Sequence, residues 1–306
     1  MLVKSCYFVG MGLKVRIVKA INTGMGVTFL KATGMLYPKE KRLFEDPFAQ
    51  KLLPSFHRFI IFLMRRPKIF NFLMRWREKT TPGLVGWMFC RFRYIDDVLK
   101  DNIEKIETVV NLGSGMDCRA YYIPGVKNIR YYEVDHPSVI KKKKAKIKKI
   151  LGVLPNHVVY VPVDFERQNP ETELKKAGYK SSDKTLFIWE GVTQYISEQA
   201  NAKTFGFIER AVVGSKIVFT YVPKSFIEGK NISDNTKNMY KWMVKRFSLW
   251  IFGINPKDIG DYLSKYSLHL IEDIGSEQMQ ERYMKTVNPG LRVFDIERIA
   301  LAEVRN

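Results

Sequence analysis

A glycine-rich turn is the first part of the chain that could contact a ligand closely. The segment ETVVNLG, at 107–113, has the apolar pattern of a buried strand and runs directly into Gly113, Ser114 and Gly115. Glycine lets the backbone turn sharply and approach a ligand without a Cβ atom in the way. The third glycine of a dinucleotide-binding fingerprint is replaced by Cys118. The turn therefore favours close approach to a ligand without matching a pyrophosphate site.

Acidic residues end three further strand-like segments. These residues and their neighbours are Glu133 and Asp135 in RYYEVD, Asp164 and Phe165 in VPVDF, and Glu190 and Gly191 in LFIWEG. A carboxylate about twenty residues after such a turn can accept both hydroxyl groups of a ribose. One of the pair in RYYEVD fits that role, and the other would face solvent or cap the helix that begins near Pro137. An acidic side chain beside an aromatic ring suits an adenine.

The three acidic strand ends together are more informative than any one motif. Carboxylates are costly to bury unless they have partners, so a line of them predicts a ligand with donor groups and positive charge. S-adenosylmethionine has ribose hydroxyls, amino groups and a sulfonium, and is the ligand we expect.

The elements that must position these residues alternate between strand and helix patterns. Strands are predicted at 107–113, 130–135, 157–164, 185–191 and 216–223, with helical segments near 137–151, 170–178 and 197–213. This rhythm indicates an α/β fold with a mostly parallel sheet and helices on both faces. The chain divides into a helical region at 1–104, an α/β core at 105–223, a helical lid at 224–288 and a last strand at 289–306. That last strand is expected at the sheet edge.

The ordered motifs resemble the leucine carboxyl methyltransferase family, in particular its bacterial branch related to polyketide methylation enzymes. The motifs are NLGSGMDCRAYYIP, YYEVDHP, VPVDF and LFIWEGVTQYI, with LFEDPFAQKLL and RFRYIDD upstream and FGINPKDIGDYL and ERIALAEV downstream. The resemblance covers nearly everything after about Leu43. It implies a class I methyltransferase, with a Rossmann-like seven-stranded sheet, a helical cap, and S-adenosylmethionine without metal.

The resemblance also implies roles for individual residues. Gly113 would line the methionine end of the cofactor, and Asp135 would hold the ribose. The remaining implied contacts are Asp164 and Phe165 at the adenine, Glu190 near the cofactor amine, and Arg91 at the cofactor carboxylate, with Arg93 and Lys31 as other candidates there. Ser114 and Cys118 stand where the family usually has alanine or glycine and threonine.

The methyl acceptor is expected to carry an oxygen nucleophile. The sulfonium methyl is already activated, so the protein must align the acceptor and exclude water. A carboxylate needs no base, whereas a hydroxyl would need one. Tyr195 is the candidate base, although a tyrosine here is more often simply packed, and none of the four histidines falls in a motif. This shortage of bases favours carboxylate methylation. The acceptor stays open between a small aromatic or polyketide-like metabolite, a lipidic or amphiphilic acid, and a protein C-terminus.

The charge balance indicates either attraction to an anionic partner or a general preference for lysine in the proteome. Lys and Arg number 51 against 31 Asp and Glu, a formal net charge of +20. Residues 1–95 hold 18 basic and four acidic residues. Within them, Phe56–Trp76 is an apolar stretch interrupted by Arg65, Arg66 and Lys68. It predicts a core-facing helical pair hinged at Pro67, with an amphipathic helix at an anionic membrane surface as the alternative.

Two further observations bear on partners and location. The run KKKKAKIKK, at 141–149, predicts a solvated helical stripe, and without interleaved aromatic residues it does not favour a nucleic-acid partner. Cys6, Cys90 and Cys118 lie far apart, so they form no disulfide framework or zinc spacing and fit the cytoplasm. A catalytically inactive module that binds RNA or an anionic membrane is the alternative of a different class.

Overall fold

A computed structural model describes residues 24–288 and 290–305. Cys6 and the other residues at 1–23 lie outside the described part, as does the start of the predicted helical region. In the part described, no helix combines the length and apolar character needed to span a bilayer.

Seven strands form one sheet in the described part of the chain. They are β1 (Thr108–Leu112), β2 (Arg130–Asp135), β3 (Val158–Pro162), β4 (Thr185–Trp189), β5 (Lys216–Tyr221), β6 (Leu268–Ile274) and β7 (Arg298–Val304). Their order is β3-β2-β1-β4-β5-β7-β6. The first five strands run parallel, and β7 runs antiparallel to both β5 and β6. The predicted α/β class and mostly parallel sheet are confirmed.

Two expectations about the last third of the chain are wrong. The final strand β7 lies between β5 and β6 rather than at the sheet edge. Residues 224–288 are not all helical, because Leu268–Ile274 forms the edge strand β6. This strand carries polar, partly exposed residues such as His269 and Glu272 instead of a continuous apolar run. Residues Leu268–Ile274 adopt a strand conformation because they pair with β7. The four-part division into domains stays a prediction.

The helices flank the sheet and continue over its carboxyl edge. They are α1 (24–34), α2 (Ala49–Leu52), α3 (Ser55–Met64), α4 (Pro67–Thr80), α5 (Leu84–Asn102), α6 (Arg119–Tyr122), α7 (Pro137–Leu151), α8 (Pro170–Lys176), α9 (Glu198–Ile208), α10 (Lys224–Ile227), α11 (Lys237–Met239), α12 (Ile259–Ser264), α13 (Ser276–Met279) and α14 (Lys285–Val287). Two π-helical segments, Tyr240–Arg246 and Gln280–Met284, extend α11 and α13.

The central strands are buried on both faces. Every residue of β1 and β4 is buried, as expected where helices cover both sides of a parallel sheet. Alternate residues of β1 enter different clusters: Val109 packs with α5 on one face, and Val110 packs with α9 on the other. This two-sided core fixes the strands and therefore the loops that follow them.

Helices α3 and α4 form the pair that the sequence predicts. Pro67 is at the first position of α4, where its missing N–H costs no helical hydrogen bond. Ile61 and Met64 of α3 are buried, as the core-facing interpretation requires. Part of the surface of this helical pair is exposed to solvent, and several of its aromatic side chains lie there.

Candidate functional site

Four parallel strands end at one cavity. The cavity has a volume of about 450 Å³, and its wall includes Gly113 after β1, Asp135 at the end of β2, Asp164 after β3 and Glu190 after β4. Carboxyl ends of parallel strands meet at the same sheet edge, and ligands of such sheets bind there. The structure thus brings together residues that are 77 positions apart in the sequence.

The turn after β1 needs glycine at its first position. Gly113 has a φ of +71°, in the left-handed region, and a Cβ atom there would lie 2.2 Å from Val192 Cγ2. Gly115 N–H donates a hydrogen bond of 2.6 Å to Asp135 Oδ2. Ser114 also lines the cavity, and its Oγ is buried without a hydrogen-bond partner among the described residues. The turn therefore presents its backbone to a ligand.

The two carboxylates of β2 have different positions. Asp135 lines the cavity and accepts hydrogen bonds of 2.6 Å from the N–H groups of Gly115 and His136. Burial raises the pKa of Asp135, although those N–H groups oppose the shift. His136 itself caps α7, with Nδ1 accepting from Ser138 N–H. Of the two predicted ribose ligands, Asp135 is the one placed for a ligand.

Glu133 is outside the cavity wall and has a partner within the protein. It is fully buried, and its Oε1 lies 2.9 Å from Lys143 Nζ and 3.0 Å from the Tyr121 hydroxyl. Burial raises the pKa of Glu133 to about 7 against the lowering effect of Lys143. The structure therefore does not bring Glu133 to the predicted cofactor site. Lys143 is buried as well, so it is not part of the solvated lysine stripe expected on α7.

Asp164 and Phe165 follow β3 on the cavity wall. Asp164 Oδ1 accepts a hydrogen bond of 3.1 Å from Glu166 N–H, which fixes the turn. Phe165 is buried in the core cluster on the α9 face of the sheet and lines the cavity. A carboxylate and a ring side by side are the arrangement that the sequence predicts for an adenine.

Glu190 is held between two arginines. Its Oε1 lies 2.9 Å from Arg91 Nε, and its Oε2 lies 2.7 Å from Arg119 Nη1. Burial raises the pKa of Glu190, but the two guanidinium groups outweigh that effect and hold it below its ordinary value. Arg91 Nη1 also contacts Glu297 at 2.6 Å. Arg93 instead pairs with Asp97 away from the cavity, so Arg91 is the predicted arginine that reaches the site.

The site contains further charged residues for which the sequence motifs imply no cofactor contact. Asp117 and Glu297 line the cavity, and Arg119 lies behind it. Lys31, which the sequence offered as one of the candidates for the cofactor carboxylate, pairs with Asp117 at 3.3 Å and Asp46 at 3.6 Å. Asp117 and Arg119 lie in the motif NLGSGMDCRAYYIP, and Glu297 begins the motif ERIALAEV. Their presence in these motifs is the sequence signal that could have identified them.

This buried network has more acidic than basic members. Its ion pairs join three cations, Lys31, Arg91 and Arg119, to five carboxylates, Asp46, Asp96, Asp117, Glu190 and Glu297. Burial lowers the pKa of Lys31, yet the carboxylates raise it above its ordinary value. Such an excess of buried negative charge favours a ligand that carries positive charge.

Part of the cavity wall is apolar. Met239, Met243 and Trp250, from the region after β5, contribute to it, and the role of this region as a lid stays a prediction. Tyr195 also lines the cavity, with its ring 6.4 Å from that of Trp250 in an edge-to-face arrangement. This contact is compatible with simple packing, and the role of Tyr195 as a base stays a prediction.

Comparisons with known proteins agree with this geometry. Residues 24–209 match the family model described as leucine carboxyl methyltransferase. The chain is 26% identical over 208 residues to the Bacillus subtilis protein named "Putative S-adenosyl-L-methionine-dependent methyltransferase YktD", covering 67% of this chain and 68% of that protein. A Mycobacterium ulcerans protein named "Putative S-adenosyl-L-methionine-dependent methyltransferase" is 29% identical over 209 residues, with the same coverage of 67% and 68%.

Solved structures show the same fold. A structure described as a putative methyltransferase from Thermobifida fusca has a TM-score of 0.55 at 13% identity, covering 85% of this chain and 93% of that one. A Streptomyces avermitilis protein has a TM-score of 0.54 at 10% identity, covering 90% and 97%. Fold and family together define a class I, S-adenosylmethionine-dependent methyltransferase. Within that class the chain belongs to the leucine carboxyl methyltransferase family, and the predicted family resemblance is confirmed.

Proposed function

We propose that this methyltransferase methylates a carboxylate oxygen of an acid that has an apolar body. The observation that carries the proposal is that the side chain of Arg77 lines this largely apolar cavity without an ion pair to another described residue. S-adenosylmethionine, when bound, supplies a methyl group on a sulfonium, which an oxygen nucleophile accepts as the carbon–sulfur bond breaks to leave S-adenosylhomocysteine.

Arg77 differs from the other cations at the cavity. Lys31 and Arg91 are engaged by buried carboxylates, and Lys142 projects from the exposed side of α7. The side chain of Arg77 has neither an ion pair nor a hydrogen bond with another described residue, and burial lowers its pKa. A partly buried guanidinium is stabilised by an anion in bidentate contact. We assign that anion to the acceptor.

The apolar wall supports an acceptor with a hydrophobic body. Leu84 and Met88 of α5 face the same cavity as Met239, Met243 and Trp250. Methionine side chains adapt to irregular apolar shapes because they are flexible and polarizable. An acceptor that combines one carboxylate with an apolar tail would use both Arg77 and this wall.

The residues present fit the cofactor. Asp135 would accept from the ribose hydroxyls, Asp164 and Phe165 would frame the adenine, and the acidic network would favour the sulfonium and amine. An ionised carboxylate needs no general base, so the proposal does not depend on a catalytic role for Tyr195 or for His136, which also lines the cavity. The chain would then contribute position and exclusion of water.

Cofactor binding is the first test. Titration calorimetry with S-adenosylmethionine and S-adenosylhomocysteine should detect both for the natural protein. Asp135→Ala should weaken both at least about tenfold, since it removes hydrogen bonds to a charged group. Asp261→Ala, at an exposed aspartate of α12, should bind as the natural protein does. Absence of binding by well-folded natural protein would contradict the proposed activity.

Acceptor chemistry is the second test. A straight-chain carboxylic acid and the primary alcohol of the same length would be compared as methyl acceptors, with the methyl ester of the acid and the methyl ether of the alcohol detected by mass spectrometry. The acid should react, and Arg77→Gln should raise its KM about tenfold or more. Arg75→Gln, at an exposed arginine of the same helix, is the matched control and should leave that KM unchanged. Methylation of the alcohol alone, or equal effects of both variants, would contradict a carboxylate acceptor held by Arg77.

A further inference from the structure

An exposed group of aromatic side chains lies on α3 and α4. Its members, which we call the aromatic patch, are Phe56 (69% exposed), Phe59 (57%), Phe62 (56%), Phe72 (68%) and Trp76 (56%). Among the other described residues, Trp242 is the one aromatic side chain in the same exposed class, at 41%. Large exposed apolar groups concentrated in one place mark an interaction site.

Three members of the patch lie on α3, whose other face is buried. Phe56, Phe59 and Phe62 are spaced three residues apart, which places them along one face of α3. Ile61 and Met64 occupy the opposite face and are buried against Phe70 and Leu73 of α4 and neighbouring residues. Helix α3 therefore has a core contact on one face, to which α4 adds half-buried side chains, and the exposed aromatic residues take no part in that contact.

The hairpin that carries the patch is strongly basic. Residues 55–80 contain seven basic residues and one acidic residue, Glu78. Arg65 and Arg66 lie at the turn between the helices, and Lys68 lies in the first turn of α4. All three are exposed and make no ion pair with another described residue. Exposed aromatic rings beside unpaired cations are the composition of segments that lie in the interface of an anionic membrane.

We propose that the α3–α4 hairpin docks onto the surface of an anionic lipid bilayer. The rings of the aromatic patch enter the boundary between headgroups and acyl chains, and the cations of the turn contact the headgroups. Charge argues against a second copy of the chain as the occupant, because pairing two such hairpins would bring two basic turns together. Helix α4 contributes to both surfaces, since Trp76 is exposed and the next residue, Arg77, lines the cavity.

The test is flotation of the full chain with vesicles, without any assay of methyl transfer. The natural protein should float with vesicles of phosphatidylcholine and phosphatidylglycerol, less so with phosphatidylcholine alone, and less at high salt. Replacing Arg65, Arg66 and Lys68 together by glutamine should lower partitioning about a hundredfold. Phe59→Ser combined with Phe62→Ser should also abolish flotation, because the rings supply the apolar contact.

A matched variant distinguishes membrane binding through this hairpin from non-specific attraction by basic residues elsewhere on the protein. Replacing Lys141, Lys148 and Lys149 by glutamine removes three exposed charges from α7, whose sequence has no aromatic residue, and should change partitioning less than about threefold. Binding of S-adenosylhomocysteine should be retained in all variants as the check of folding. Absence of flotation, or equal loss in the α7 variant, overturns the proposal. The proposal is also overturned if the natural protein is a dimer in sedimentation equilibrium, the Phe59→Ser, Phe62→Ser variant is a monomer, and neither binds vesicles.

Discussion

Arg119 Nη1 lies 2.7 Å from Glu190 Oε2, so a fully buried guanidinium just beyond the β1 turn contacts the carboxylate at the end of β4. The same nitrogen lies 2.8 Å from Asp117, and Nε lies 2.6 Å from Asp96 of α5. Charges on three separate elements thus depend on one side chain. This makes Arg119 a residue that holds the site together without lining the cavity.

Removing this guanidinium should be strongly destabilising. Arg119→Met leaves buried carboxylates without their counter-ion, and we expect a loss of about 3–5 kcal/mol in the free energy of unfolding. Urea denaturation followed by circular dichroism measures it. Arg305→Met removes an exposed arginine that pairs with Glu303 at 3.3 Å, and should cost at most about 1 kcal/mol. Similar losses in both variants would contradict the structural role of Arg119.

Stability should depend on pH through Glu133. Its pKa is about 7 in the folded protein against an ordinary value of 4.5, so the folded state binds more protons than the unfolded state between these values. The stabilising contribution of Glu133 is therefore complete below pH 4.5 and is lost as the pH rises through 7. In Glu133→Gln this dependence is absent. The free energy of unfolding of the natural protein, minus that of the variant, should be larger at pH 5 than at pH 8, by urea denaturation. An unchanged difference would show that Glu133 stays ionised beside Lys143.

Substitution of Gly113 should destabilise the protein for two separable reasons, a steric clash and backbone strain. Gly113→Ala places a Cβ atom 2.2 Å from Val192 Cγ2 and forces alanine to a φ of +71°. Val192→Ala removes the clash but not the backbone strain, which is worth about 1–2 kcal/mol. In a double-mutant cycle of unfolding free energies, Gly113→Ala should therefore cost less in the Val192→Ala background, where the backbone strain of about 1–2 kcal/mol remains. Additive effects would mean that the loop moves to avoid the contact.

The strand ends were predictable from the sequence because the pattern is local. A buried strand of a parallel sheet is a continuous apolar run, and the residue that follows it must lie at the carboxyl edge. This rule was sufficient to place Gly113, Asp135, Asp164 and Glu190 together. It failed at β6, where an edge strand with polar residues gives no such run, and where antiparallel pairing with β7 decides the conformation.

Charge pairing could not be predicted in the same way. Glu133 and Asp135 are two residues apart on one strand, and both have the residue type of a ribose ligand. Only the position of Lys143, on the following helix, directs Glu133 into an internal ion pair. Glu297 likewise reaches Arg91 across 206 positions of sequence, because β7 inserts beside β5.

The sequence by itself determined the fold class, the family and the line of residues at the carboxyl edge, since these follow from apolar periodicity and from motifs contiguous in the chain. The tertiary structure decided which carboxylate of β2 forms an internal ion pair, which arginine reaches the cavity, and which aromatic residues stay in solvent. Those outcomes depend on distances between elements far apart in sequence. A charge or a ring is neutralised or covered by whatever the fold places beside it.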